Sequence, residues 1–422
     1  MKWQSLFVAA VCYAQPAART LTLAEAEQMA LATHPAIQSA QFNALAAGQV
    51  ITEARSNLLP TVFGSLTGAG ALTGSRLAAG ALNNPIIYDR LASGITVGQL
   101  VTDFGRTSNL VATARLHADA QTQAVETTKD QVILAVERTY FAVLRAHAVL
   151  TVAQQTVNAR QLVADQVKAL TESKLKSQLD LSFANVNLSG AKLDLADARN
   201  NLQSALAEFS TALGLPASQT FQLAEEPLPP DLPKDLNDLI DAAIRKRPEL
   251  ASLRAEQGAA QRFAEAERDL SRPTISTLAS VGYIPTGQAA LRDRYGAAGI
   301  NVNIPILNGK LFHARQTEAE LRAQAAARNL KDFENRVSRD VRVAYLNAVN
   351  AYERLGLTAQ LLDQAKLGLD LAQSRYDLGL GSIVELSQAQ LNETSAQIAS
   401  ARAKYDYQTE RSVLAYQIGS IR

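Results

Sequence analysis

The sequence predicts a mainly α-helical protein with a four-stranded β contribution, its elements laid down twice in one order. Three observations carry that reading. First, LTLAEAEQMALATHP, ending at Pro35, returns as LNDLIDAAIRKRPEL around Pro248. The same shift of 213 residues maps Arg55 onto Arg268 and Pro60 onto Pro273, and a shift of 205 maps Gly94 onto Gly299, Ser177 onto Ser382, Leu181 onto Leu386 and Gly214 onto Gly419. Self-similarity at a fixed register is the mark of a repeated architecture, and the change of register places a shorter loop in the second copy. Second, neither glycine nor proline occurs from Arg106 to Ser189, and no proline follows Pro305. Third, four short segments alternate apolar and small polar residues with period two.

From the N-terminus, Lys2 precedes the apolar run Leu6 to Val11, and Ala14, Ala17 and Ala18 follow. That is a short secretory signal, residues 1–14, with cleavage after Ala14. The alternative is lipid modification of Cys12, the only cysteine. The first repeat, 21–214, opens with helices over 22–56 broken at Pro35, because proline removes a helical hydrogen bond and pushes its predecessor to extended geometry. Strands follow at about 58–70 and 89–102. In GITVGQLV, Ile95, Val97 and Val101 alternate with Thr96 and Gly98, while Gln99 and Leu100 blur the pattern; in LPTVFGSLTGAG the marks are Val62 and Leu66. A long helix over 106–172 carries Val132, Val136, Tyr140 and Val143 on one stripe. A second helix occupies 178–213.

Residues 215–235 hold five prolines (216, 227, 229, 230 and 233) and read as a linker. The second repeat, 236–419, has helices over 236–269 around Pro248 and strands at about 273–283 and 295–307. In the strands, Ile275, Ala279 and Val281 oppose Thr274, Ser276 and Ser280, and Ile300, Val302, Ile304 and Ile306 alternate with Asn301, Asn303 and Pro305. A long helix over 310–375, with Val341, Tyr345, Val349 and Tyr352 as its stripe, precedes a helix over 383–418. Polar loops, TGSRLAAGALNNP and PTGQAALRDRYG, join the strand pairs. At 1.5 Å per residue each long helix would run roughly 100 Å, suited to a coiled coil or a helical tube rather than a globular core.

Composition narrows the function. Net charge is +1 and aromatics are 5%. There is no bulk electrostatic case for nucleic acid, and small side chains suit close helix packing. No 18 apolar residues run together, so a transmembrane helix is not expected. Four strands cannot close a barrel alone, and an open sheet edge is forbidden in hydrocarbon, so a membrane-spanning sheet would have to be completed by other copies. Alternation alone fits transmembrane strands and a water-soluble hairpin equally well.

The order helix pair, strand pair, long helix, second helix, given twice, resembles the TolC-like outer-membrane efflux family. The residues that carry it are LTLAEAEQMALATHPAIQSAQ, YDLGLGSIVELSQAQLNETSAQIASARAKYDY, and the strand-to-helix junctions TDFGRTSNLVATA and LNGKLFHARQTEAE, in a likeness spanning about residues 21–419. The resemblance implies a homotrimer with a twelve-stranded β-barrel in the outer membrane, continued by a long periplasmic α-helical barrel. It implies docking to a periplasmic adaptor protein served by an inner-membrane transporter.

The turns joining each long helix to its second helix are the expected periplasmic end. In YDLGLGSIVE, Gly379 and Gly381 allow the helix to end. TESKLKSQLD has no such breaker; Lys174 stands where Gly379 does. By the resemblance, Glu385 and Asp180 fall on acidic positions of a constriction, and Tyr376 on a tyrosine that bonds across the gate. Gly381 stands where an arginine would be expected and Gln388 where a second acid would be. Asp180 and Glu385 also suit a plain role as helix N-terminal acids. Leu175, Ser177, Gly379, Leu380 and Ser382 are the candidate adaptor-docking tips. Lys174 and Lys176 read as a solvated basic tip. His34, His117, His147 and His313 show no ligand spacing and no paired acid, and no catalytic constellation, metal cluster or cofactor motif occurs. The reading is a passive outer-membrane exit duct of a tripartite efflux or type I secretion system, not an enzyme. The alternative is a non-pore periplasmic coiled-coil scaffold or a lipid-anchored outer-membrane protein.

Overall fold

A computed structural model describes residues 20–70, 72, 90–228, 232, 235–285 and 292–421. The expected signal 1–14 with Cys12, the loop TGSRLAAGALNNP, residues 286–291 of the second loop, and Pro229, Pro230 and Pro233 lie outside the described residues. The chain forms two compact units. One gathers the residues up to Gln38, Thr127–Arg247 and those from Arg336; the other gathers Ser39–Glu126 and Pro248–Asn335.

The elements in chain order are β1 (Thr20–Leu21), α1 (Leu23–Thr33), α2 (Pro35–Ser56), β2 (Thr61–Ala69), β3 (Arg90–Thr102), α3 (Arg106–Glu172), α4 (Gln178–Ala212) and β4 (Gln222–Leu223). Then come α5 (Leu236–Lys246), α6 (Pro248–Arg268), a 3-10 turn (Asp269–Ser271), β5 (Thr274–Tyr283), β6 (Arg294–Asn303), α7 (Leu311–Asp377) and α8 (Ile383–Gln417). Among the described residues no helix is long and apolar enough to cross a membrane.

The second unit holds an antiparallel sheet in the order β2-β3-β5-β6. Val62 pairs with Val97, Ile95 with Val281, and Ala279 with Ala298. Since side chains alternate along a strand, this register gathers Val62, Leu66, Leu91, Ile95, Val97, Val281, Ile300 and Val302 on one face. The other face holds Thr61, Ser65, Thr96, Ser276, Ser280, Asn301 and Asn303, with Phe63, Leu100 and Leu278 as exceptions, and Thr96 and Ser280 meet there at 3.4 Å. On this polar face the Tyr295 ring lies over Gly94 and Gly282, where any Cβ would collide with it. The blurred alternation in β3 has a physical cause. Leu100 pairs with Ser276 and Thr102 with Ile275, so Val101 is an extra, bulged residue. Strand β6 stops at Asn303 although Ile304 and Ile306 continue the alternation, because Pro305 has no N–H to give a ladder. The same unit pairs His117 with Glu256 at 2.9 Å, which corrects the expectation of no paired acid.

The helical unit is built on Tyr140. Its ring is fully buried and meets Phe141 and Phe209 edge-on at 5.8 and 5.9 Å. Its hydroxyl donates to the carbonyls of Leu21 (3.1 Å) and Ala224 (2.7 Å). It thereby anchors the two-residue parallel pair β1–β4, structure inside a segment expected to be only a linker. Thr22 and Glu25 form a capping box that starts α1, and Pro35 opens α2 at the helix position where its missing N–H costs nothing. In α3 the buried stripe runs through Val132, Val136, Tyr140 and Val143. In α7 it does not follow the expected tyrosines. Val341, Ala344, Ala348 and Ala351 are buried while Tyr352 is 46% exposed. Alanine at these steps lets α8 approach, with Leu414 packed on Ala344 and Ala348.

Glu137 on α3 sits in this unit beside Glu27 of α1. Burial pushes the Glu137 carboxyl up to about 7; a bond from Ser412 opposes the rise and the Glu27 carboxylate adds to it. An unfolded glutamate titrates near 4.3. The folded chain therefore holds more protons between those values, and stability falls as pH rises from about 4.3 to about 7. Glu137→Gln is expected to raise the thermal midpoint at pH 8 and to change it far less at pH 5. Equal shifts at the two pH values would contradict this.

Candidate functional site

The residues singled out in the sequence gather at the two tips of the helical unit. The turns are built alike. The Leu175 N–H donates to the Leu170 carbonyl and the Leu380 N–H to that of Arg375, each at 2.8 Å, while Lys174 and Gly379 donate to Thr171 (3.0 Å) and Tyr376 (3.1 Å). This is the Schellman pattern, which needs a left-handed residue just past the helix end. Gly379 provides it at φ 73°, and Lys174 at φ 60°. The first tip thus uses a lysine where glycine would be unstrained, which is why no local breaker is visible in the sequence.

After each turn a serine caps the next helix. Ser177 accepts from the Asp180 N–H and Ser382 from the Glu385 N–H, both at 3.1 Å. Asp180 returns the favour, accepting from the Ser177 N–H at 3.1 Å and hydroxyl at 2.8 Å. Glu385 instead accepts from Arg375 Nε at 3.0 Å. Both acids lie in first turns, where the helix dipole favours them. Leu175 and Leu380 crown the turns at 71% and 68% exposure.

Tyr376 is different: it is buried among Ala164, Val167, Ala184, Leu188, Ile383 and Leu386, joining the two hairpins. The Lys176 ammonium stands 4.2 Å from its ring centroid, a cation–π contact rather than a purely solvated face. The phenol oxygen is buried and has no hydrogen-bond partner among the described residues. Burial pushes its pKa up, and the Asp180 and Asp377 carboxylates add to the rise.

Two residues at or near the tips were not foreseen. Arg375, ten positions from Glu385, gives no local signal. Arg160 does: with Ala153, Ala164 and Val167 it falls on one buried stripe of α3, at steps of seven, four and three. Its guanidinium donates to Gln390 of α8; burial lowers its pKa, and Glu393 opposes the shift. Alongside, Asn187 of α4 donates to Ser387 of α8 at 2.8 Å. These bonds tie α8 to α3 and α4 where α8 leaves the tip.

The outer membrane efflux protein family matches the chain over residues 26–215 and 239–420. Outer membrane protein TolC of Salmonella enteritidis is 24% identical over 420 residues, covering 95% of this chain and 83% of that protein. Outer membrane protein TolC of Vibrio cholerae is 26% identical over 421 residues, covering 94% and 91%. The CmeC outer membrane channel of Campylobacter jejuni superposes with a TM-score of 0.80 at 16% identity, covering 100% of this chain and 94% of that one.

A left-handed lysine carries a steric cost that glycine lacks. Lys174→Gly is expected to stabilise the first tip by roughly 1 kcal/mol, read as slower amide exchange at Leu175 and Lys176. Faster exchange there would contradict the strain.

Proposed function

This chain belongs to the outer membrane efflux protein family, and we propose that three copies of it close one exit duct through the outer membrane. The duct serves a tripartite efflux or type I secretion system and lets its cargo pass without covalent chemistry. The observation that carries this is the sheet of β2, β3, β5 and β6. Its apolar face is open, with Leu66 75%, Val281 58% and Ile300 73% exposed. A contiguous apolar face of that kind needs a partner, and lipid is the partner that transmembrane strands present it to. Among the described residues its two outer strands, β2 and β6, each pair on one side only. Hydrocarbon does not tolerate such edges, so neighbouring copies supply the missing pairs: four strands from each of three make twelve.

The helices support the same assembly. Leu179, Phe183, Val186 and Leu193 run along one side of α4, and Leu357, Leu361 and Leu371 along α7, all exposed. Two different stripes on one chain suit a head-to-tail contact, the kind that closes into a ring. The tips would then converge on the axis at the periplasmic end. Tyr376 belongs to the gate by the resemblance; its hydroxyl, buried in the single chain, reaches a partner across the gate when the tip shifts, and Asp180 and Glu385 line the passage. Leu175 and Leu380, with Ser177, Gly379 and Ser382, form the surface that meets a periplasmic adaptor, which couples the duct to an inner-membrane transporter. Opening follows from contacts the adaptor makes better with spread tips than with closed ones.

Reconstitution tests the duct. The purified protein is expected to run as a trimer in detergent and to conduct ions in planar bilayers; a monomer that leaves the bilayer silent would contradict it. Ile300→Arg should impair insertion, since a cation on the lipid face costs about 2–4 kcal/mol at mid-depth, whereas Asn301→Arg, one residue on, should insert normally. The gate has its own check: Tyr376→Phe and Asp180→Ala should each raise single-channel conductance, and unchanged conductance in both would remove those residues from the gate.

A further inference from the structure

We infer that Arg375 masks Glu385 at the tip entrance by holding it against its own hairpin, so that the Glu385 carboxylates add little to the passage's preference for cations over anions. The inference rests on the duct reading above, because only a pore gives the pair something to select. The geometry is specific. Arg375 Nε donates to Glu385 Oε1 at 3.0 Å, and a terminal guanidinium nitrogen donates to the Leu380 carbonyl at 3.2 Å. One side chain therefore grips both the turn and the first turn of α8. Arg375, Glu385 and Gln388 share the wall of a groove of about 590 Å³ between α7 and α8, with Gly368, Leu371 and Asn392 also in its lining. Glu385 is the acid in that wall, Gln388 is neutral, and Arg375 offsets Glu385 charge for charge.

Gly381 makes the arrangement possible. A Cβ at that position would stand 3.2 Å from Arg375 Cβ, 3.3 Å from Glu385 Oε2 and 3.3 Å from the Tyr376 nitrogen. Any larger residue would press on the ion pair from the turn. Glycine at 381 and arginine at 375 thus form one device: the small residue clears the space through which the cation reaches the acid. Both members of the pair are about half exposed. Its worth as a stabilising bridge is therefore small, and its consequence is electrostatic. Rings of side-chain charge govern ion selection at a narrow passage, and three compensated carboxylates attract cations far less than three bare ones.

The experiment measures reversal potentials of the full-length protein in planar bilayers under a KCl gradient, for wild type, Arg375→Gln, Gly381→Ala and the double variant Arg375→Gln/Glu385→Gln. Arg375→Gln should move the potential toward cation selectivity, Gly381→Ala should move it the same way by less, and the double variant should return it to the wild-type value. An Arg375→Gln potential equal to wild type overturns the inference while a conducting wild type leaves the duct intact. A double variant that stays cation-selective overturns it too, because the effect would not pass through Glu385. Silence of all four proteins removes the duct and the inference together.

Discussion

Backbone hydrogen bonding at the edges of one small sheet is the constraint on which the rest depends. Strands β2 and β6 each expose a row of N–H and C=O groups on one side, and the face between them is apolar and open. In water such an edge invites aggregation; in lipid each unmet group costs several kcal/mol. Closure by further copies satisfies both requirements at once. In the proposed duct the polar face, with its threonines, serines and asparagines, would turn inward onto water. Tyr295 fills the space above Gly94 and Gly282 on that side, so the glycines there are a packing requirement.

The helices answer a different demand. A helix of 67 residues, the length of both α3 and α7, cannot bury a broad face in an ordinary core. It is held by narrow contacts repeated along its length. Ala344 and Ala348 of α7 pack with Leu414 of α8, and single polar bonds such as Arg160 of α3 to Gln390 of α8 join the long helices to their neighbours. At the tips the same economy holds. Each reversal depends on one left-handed residue and one capping serine, and Tyr376 joins the two hairpins. Tips built this way are held by few interactions, so modest differential contacts would suffice to move them in the proposed duct.

Much of this was legible in the sequence, for reasons that can be named. The long helices announce themselves because nothing from Arg106 to Ser189 breaks a helix, and the strands because Ile300, Asn301, Val302 and Asn303 alternate cleanly. Legibility ended where a feature depends on partners distant in the chain. The bulge at Val101 appears only once Thr102 is seen opposite Ile275. The pair β1–β4 is two residues long and exists because Tyr140, far away in the chain, offers its hydroxyl to both strands. The stripe of α7 keeps Val341 but continues through alanines rather than Tyr345 and Tyr352, because the residues that meet Leu414 of α8 are small ones, Ala344 and Ala348. At the tips, Ser177, Ser382, Asp180 and Glu385 follow capping rules written in local sequence. Arg375 reaches Glu385 only because the turn folds ten residues back on themselves, and the left-handed Lys174 breaks the rule that would have revealed it.

In the proposed duct, neighbouring residues of one strand face opposite media. Single tryptophans at positions 280 and 281, in a chain with Trp3 replaced by phenylalanine, test it directly in vesicles containing bromine-labelled lipid. The account predicts strong quenching of tryptophan at 281 and little at 280, where water-soluble iodide should quench instead. Equal lipid quenching at the two positions, or none at either, would contradict it.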